Sequence, residues 1–177
     1  MGGVDRLCKR SGADGGRVTD WLRRAGRGSL PDGSEVTWAV AEGNRGRRWR
    51  WTVVDADQLR HVGLVEVDRD GRFARLELSS ALGMLTLHAE PDHRSIHGNV
   101  ASADGVRPLA FEWSSGSGLA IAGDAFGTAI LPHAADGPTL VVRPRLGVVT
   151  GRPQGSLELD ERGIPILERA DECPLEE

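Results

Sequence analysis

Three histidines, His88, His93 and His97, gather around Pro91-Asp92-His93-Arg94. If that tetrapeptide is a hairpin loop, Glu90 pairs with Ser95 and His88 stands directly opposite His97. Leu85, Leu87, Ile96, Gly98 and Val100 then share one face of the hairpin. Met84, Thr86, His88, His97 and Asn99 share the other, and a slip of one residue would scramble both faces. Two imidazoles opposed in this way suit a transition-metal ion, with Glu77 or Glu90 as a third ligand, and equally suit hydrogen bonds to a bound molecule. A catalytic zinc or iron site needs three ligands held in geometry, and the spacing defines no third, so the metal content is left open and no cofactor is expected.

A second constellation is Arg47-Arg48-Trp49-Arg50-Trp51-Thr52-Val53. Strand alternation puts Trp49, Trp51 and Val53 on one side and Arg48, Arg50 and Thr52 on the other. Single-strand nucleic-acid modules need aromatic and cationic groups on the same surface, and alternation separates them here, so nucleic acid is not an expected partner. Phe111 and Trp113 share a face with Leu109, and Trp38 shares one with Val36 and Val40. Tryptophans from separate strands are read either as core or as the wall of an apolar cavity. Nucleophilic catalysis finds no Gly-x-Ser-x-Gly elbow, and phosphate-loop and dinucleotide fingerprints are absent from the sequence. An enzyme is the less favoured class, and no catalytic residue is assigned.

The elements that must position these residues are strands. From Val36 onward the apolar period is two, and turn residues recur about every 8–12 positions, the pattern of an all-β sandwich or barrel. The expected strands are Val36–Ala41, Arg47–Val54, Val62–Val67, Phe73–Leu78, Met84–His88, Ser95–Ala101, Arg107–Trp113, Leu119–Ala122, Thr139–Val142 and Ser156–Leu159, with Ile164–Leu167 as a further candidate. Gly43-Asn44-Arg45-Gly46, Asp68-Arg69-Asp70-Gly71 and Asp104-Gly105 carry the chemistry of tight turns, so neighbours pair antiparallel. No stretch supplies helical crossovers, which argues against parallel pairing. The fold class is therefore all-β, an antiparallel meander forming a barrel or half-barrel. Pro132, Pro138, Pro144 and Pro153 make the segment 123–155 read as a loose flap. His61 and His133 fall at expected loop positions.

At 177 residues, 39% apolar and 27% charged, the chain has ordinary globular composition and fits a single domain. Residues 1–30 read as a flexible leader with room for one short helix near Thr19–Leu22, residues 31–170 as one β domain, and residues 171–177 as an acidic tail. The net charge of −4 supplies no overall basic excess for nucleic acid. No apolar run is long enough for a transmembrane segment and no signal pattern opens the chain, so a cytoplasmic location is expected. Cys8 and Cys173 are too few and isolated for a disulfide framework. Nothing in the sequence specifies an oligomeric state.

The basic, tryptophan-bearing stretch Arg47–Thr52, the turn Asp68-Arg69-Asp70-Gly71 and the closing Leu157-Glu158-Leu159-Asp160-Glu161-Arg162-Gly163-Ile164-Pro165 together resemble a family of bacterial glycolipid-binding β-barrel proteins. The resemblance implies a curved antiparallel sheet with a groove for an amphipathic ligand. Where that family carries an Asp-rich strand and an Asn-Thr-x-x-Pro segment, this chain has His97-Gly98-Asn99-Val100, so no site residue is transferred. The leading expectation is a binding protein for a small amphipathic, glycolipid-like ligand. Trp49, Trp51 and Trp113 would take its apolar part, and His88, His97 and Asn99 its polar part. The rivals are a metal-dependent enzyme using His88 and His97, and a structural or interaction domain with no small ligand.

Overall fold

The structure, a computed structural model, describes residues 22–143, 147–151, 157–167 and 170–174. Eight strands follow in an antiparallel meander. They are β1 (Arg23–Ser29), β2 (Glu35–Gly43), β3 (Gly46–Asp55), β4 (Gln58–Val67), β5 (Phe73–Ser80), β6 (Gly83–Ala89), β7 (Ser95–Ser102) and β8 (Gly105–Glu112). A small second sheet holds β9 (Gly118–Ile121), β10 (Thr139–Arg143) and β11 (Gly147–Thr150), with helix α1 (Ala125–Ala129) between β9 and β10. The last strand, β12 (Ala170–Pro174), pairs antiparallel with β1, so the large sheet runs β12-β1-β2-β3-β4-β5-β6-β7-β8 and remains open, with β12 and β8 as its edges.

The hairpin around Pro91–Arg94 has the register expected from sequence: His88 faces His97, Leu87 faces Gly98 and Leu85 faces Val100, and the Glu90 N–H donates to the Ser95 carbonyl at 3.0 Å. Pro91 presets the first turn dihedral, and His93 absorbs the left-handed step at φ +53°. The inward face of the sheet is two long cross-strand rows. One runs Val40, Trp49, Val65, Leu76, Leu87, Gly98, Leu109; the next runs Trp38, Trp51, Gly63, Leu78, Leu85, Val100. These residues join Phe126, Leu119, Ile121, Leu140 and Val142 in one buried cluster. Gly63 matters because a Cβ there would land inside the Trp51 ring, so the pair works as a glycine floor under an indole.

Four expectations are corrected. Residues 23–29 are not leader or helix but β1, which has no apolar alternation of its own and is held between β2 and β12 by backbone pairing; residues 1–21 lie outside the described residues. Residues 171–174 are not tail but belong to β12 (Ala170–Pro174). Within 123–155 the described residues hold a buried helix and two strands rather than a loose flap, β10 falling at the expected strand Thr139–Val142, and β9 pairs parallel with β10 through the connection containing α1. His61 is not in a loop. It lies in β4, opposite Val53, and is fully buried because it continues the inward alternation of Val65 and Gly63; the bulge that inserts Arg60 comes just before it.

Candidate functional site

The six residues singled out from sequence do not form one site. His88, His97 and Asn99 lie on the outer, solvent face of the sheet. The row that His88 and His97 share runs Arg48, Glu66, Arg75, His88, His97, Ala110, and its charges are paired as Arg48 with Glu66 and Arg75 with the adjacent Glu77. Trp49 and Trp51 lie on the inner face, 2% and 1% exposed. The space they would enclose is filled from within the chain. Phe126 of α1 sits at 5.9 Å from Trp49, 6.2 Å from Trp51 and 6.2 Å from Trp38, ring centroid to ring centroid. Among the described residues no three His, Cys, Asp or Glu side chains lie together in a way that could hold a metal.

Beneath Phe126 is a buried polar centre that sequence reasoning missed. Asp124, fully buried, is the N-cap of α1 and accepts the Gly127 N–H at Oδ1, 2.8 Å. Its Oδ2 lies 2.7 Å from the Trp51 Nε1–H and 2.7 Å from His61 Nε2. One carboxylate therefore fastens the plug helix to β3 and β4. The second ring nitrogen of His61, Nδ1, is buried without a hydrogen-bond partner among the described residues. A carboxylate on one imidazole nitrogen is the arrangement that orients a catalytic or ligating histidine. Here the imidazole is 0% exposed, so the cluster acts as an internal tie. The available signal was the pattern Gly123-Asp124-Ala125-Phe126, an N-cap residue before an apolar turn.

Access to aromatic surface exists instead at the rim formed by the β2–β3, β4–β5 and β6–β7 turns. One cleft there, about 360 Å³, has Trp49, Ile130 and Leu131 among its walls and Arg47, Arg69 and His133 at its mouth. Arg47 is committed to Glu42 and to the Arg162 carbonyl, and Arg69 to Asn44. The adjoining cleft, about 590 Å³, shares Gly71 and Pro132 with the first. It is lined by Phe73 and Trp113, whose rings lie 5.9 Å apart, and by Arg72, His93, Arg94 and serines 114, 115 and 117. This volume lies within the span of roughly 300–1,000 Å³ usual for small-molecule sites.

The turns that make the second cleft are rigidly specified. Asp68 Oδ1 accepts the N–H groups of Asp70 and Arg72, and Gly71 takes φ +75°. Across the cleft Asp92 Oδ1 accepts the Arg94 N–H at 3.0 Å, and the Arg94 carbonyl accepts the Trp113 N–H at 2.9 Å. Arg94 and Trp113 are therefore locked to each other through the backbone. Of the six residues expected at a site, Trp49 and Trp113 line these clefts, while Trp51, His88, His97 and Asn99 do not. His93, which stood between the two singled-out histidines, does.

At the opposite rim Asp32 caps the β1–β2 turn and binds Arg60 at 2.6 Å. Burial pushes its carboxyl up, but hydrogen bonds from Arg60 and Ser34 outweigh this and hold it at about 2. No helix of the described residues is long and apolar enough to cross a membrane. Comparison of the chain with protein-family models, with curated proteins and with solved structures found no match.

Proposed function

We propose that the protein binds a small amphipathic ligand, glycolipid-like in pairing an apolar part with a polar head, at the cleft between the β4–β5 and β6–β7 turns. The observation that carries this reading is the joining, in one concavity of about 590 Å³, of an aromatic floor made by Phe73 and Trp113 with a polar mouth made by Arg72, His93, Arg94 and serines. Apolar walls with a few placed polar groups are what small-ligand sites have in common. No serine of the cleft hydrogen-bonds His93 among the described residues, and binding rather than turnover is the function assigned to it. The metal-dependent reading loses ground because His88 and His97 gain no third ligand among the described residues.

Two measurements test the proposal. Native mass spectrometry of the purified protein looks for a co-purifying amphiphile, and titration with octyl glucoside below its micellar range is followed by tryptophan fluorescence. A saturable change is expected, reduced at least tenfold in apparent affinity by Ser115→Trp, which fills the cleft mouth from an exposed position. His88→Ala and His97→Ala are expected to leave it unaltered. No mass adduct together with no saturable response, or a response indifferent to Ser115→Trp, would reject the site.

A further inference from the structure

Within the cleft, the polar groups already spoken for and those left over are of opposite kinds. Each of the two cleft carboxylates has one engagement: Asp70 lies 3.6 Å from Arg72, and Asp92 Oδ1 takes the Arg94 N–H. The hydroxyls of Ser114 and Ser117 lie 3.0 Å apart and bond to each other. What remains unspent is chiefly donor capacity. The Arg94 guanidinium makes no hydrogen bond or ion pair among the described residues, whereas Arg47, Arg48, Arg60, Arg72 and Arg75 all face carboxylates. Beside it, His93 keeps a buried Nδ1 with no partner, in a side chain that the left-handed turn residue holds at the cleft wall.

A pocket with unspent donors is complemented by a ligand rich in acceptors, and a planar guanidinium forks best onto two oxygens of one group. We infer that the head of the bound amphiphile carries an oxyanion, a carboxylate or a phosphate, which Arg94 holds through paired N–H donors while His93 Nδ1 contributes a third contact as its N–H tautomer. This rests on the binding reading above and adds the head-group class to it. Trp113, joined to Arg94 through the backbone bond, sets the apolar part of the ligand at a fixed distance from the charged part.

Three eight-carbon amphiphiles separate the possibilities: octyl phosphate, octanoate and octyl glucoside, each titrated below its micellar range into the full chain at low and at physiological salt. The expected result is that octyl phosphate and octanoate both bind at least tenfold tighter than octyl glucoside, and that Arg94→Gln abolishes this preference. Arg94→Lys is expected to recover only part of it, since an ammonium cannot fork. Arg50→Gln, on the outer face, serves as a charge-matched control and is expected to change nothing. Equal affinity for the three probes, or a preference that survives Arg94→Gln, would overturn the oxyanion assignment and leave the binding site standing. Binding of none of them would overturn both.

Discussion

Replacing Asp124 by alanine is the sharpest test of how the interior is built. The carboxylate accepts from Trp51 Nε1, His61 Nε2 and the Gly127 backbone, all within 2.8 Å and all buried. Stranding two buried side-chain donors costs about 1–3 kcal/mol each, and losing the helix cap costs about 1 more. The contributions share one acceptor and will not add fully, so the expected loss is about 4 kcal/mol. Against a total stability of about 5–15 kcal/mol this is a large fraction. Equilibrium urea unfolding followed by tryptophan fluorescence and far-ultraviolet circular dichroism gives the number. Asp124→Asn keeps one carbonyl acceptor and should lose roughly half as much. In a double-mutant cycle, Trp51→Phe should couple to Asp124→Ala by about 1–3 kcal/mol. A loss below about 1 kcal/mol for Asp124→Ala, or strict additivity with Trp51→Phe, would show that the plug is held by apolar packing alone.

Three further outcomes follow from the geometry. Gly63→Ala puts a methyl group into the space of the Trp51 ring, so a loss of about 1–3 kcal/mol is expected in urea unfolding, smaller in the Asp124→Ala background where the indole is free to shift. Asp32 titrates at about 2 in the folded chain against an ordinary 3.8, so its contribution is present above pH 4 and fades as the pH falls toward 2. Asp32→Asn should be less stable than the parent at pH 6 and indistinguishable from it at pH 2, with a gap under about 1 kcal/mol because the carboxylate is 45% exposed; a gap that persists at pH 2 contradicts the assignment. Finally, β8 is an open edge, and the Trp113 N–H pointing at the Arg94 carbonyl sets the alternation so that position 108 faces away from β7. Proline there withholds a donor from edge pairing. Sedimentation of Pro108→Thr should reveal more self-association than the parent at equal concentration, and matched profiles would remove that role from Pro108.

What the sequence made legible was local. Alternation and turn residues specify the β6–β7 register because both faces of a four-residue-loop hairpin are decided within about fifteen positions. β1 was illegible for the opposite reason: Arg23-Arg24-Ala25-Gly26-Arg27 has no apolar face, and its extended form comes from partners at positions 35–41 and 170–174. His61 escapes the reading because the expected strand begins at Val62; β4 starts earlier, and His61 keeps the alternation of Val65 and Gly63 and so faces inward. Pro132 and Pro138, two of the prolines that suggest a flap, occupy the connection between α1 and β10, while Phe126 before them and Leu140 and Val142 after them are buried; Pro144 and Pro153 lie outside the described residues. As for the site, the tryptophans and histidines could each be put on a face, but what covers the inner face is supplied by a distant segment, and no local pattern carries that.

That covering segment also decides where binding can occur. A meander lined by Trp38, Trp49 and Trp51 has the makings of a ligand cavity, yet Phe126 already makes ring contacts with all three, and Asp124 fastens its helix to the strand bearing Trp51. A ligand entering there would have to displace a fully buried phenyl ring and break three hydrogen bonds to a buried carboxylate, a cost of several kcal/mol before any gain. At the rim no such displacement is required. Trp113 is 8% exposed and Phe73 1%, so both rings are already packed in place, and the turn bonds of Asp68 and Asp92 hold the polar mouth. Preorganisation of this kind reduces the ordering cost that small ligands otherwise bear. The interior therefore acts as the scaffold, and the binding proposed above is placed at the cleft between Arg72 and Arg94, where Phe126 and the Asp124 hydrogen bonds stay intact.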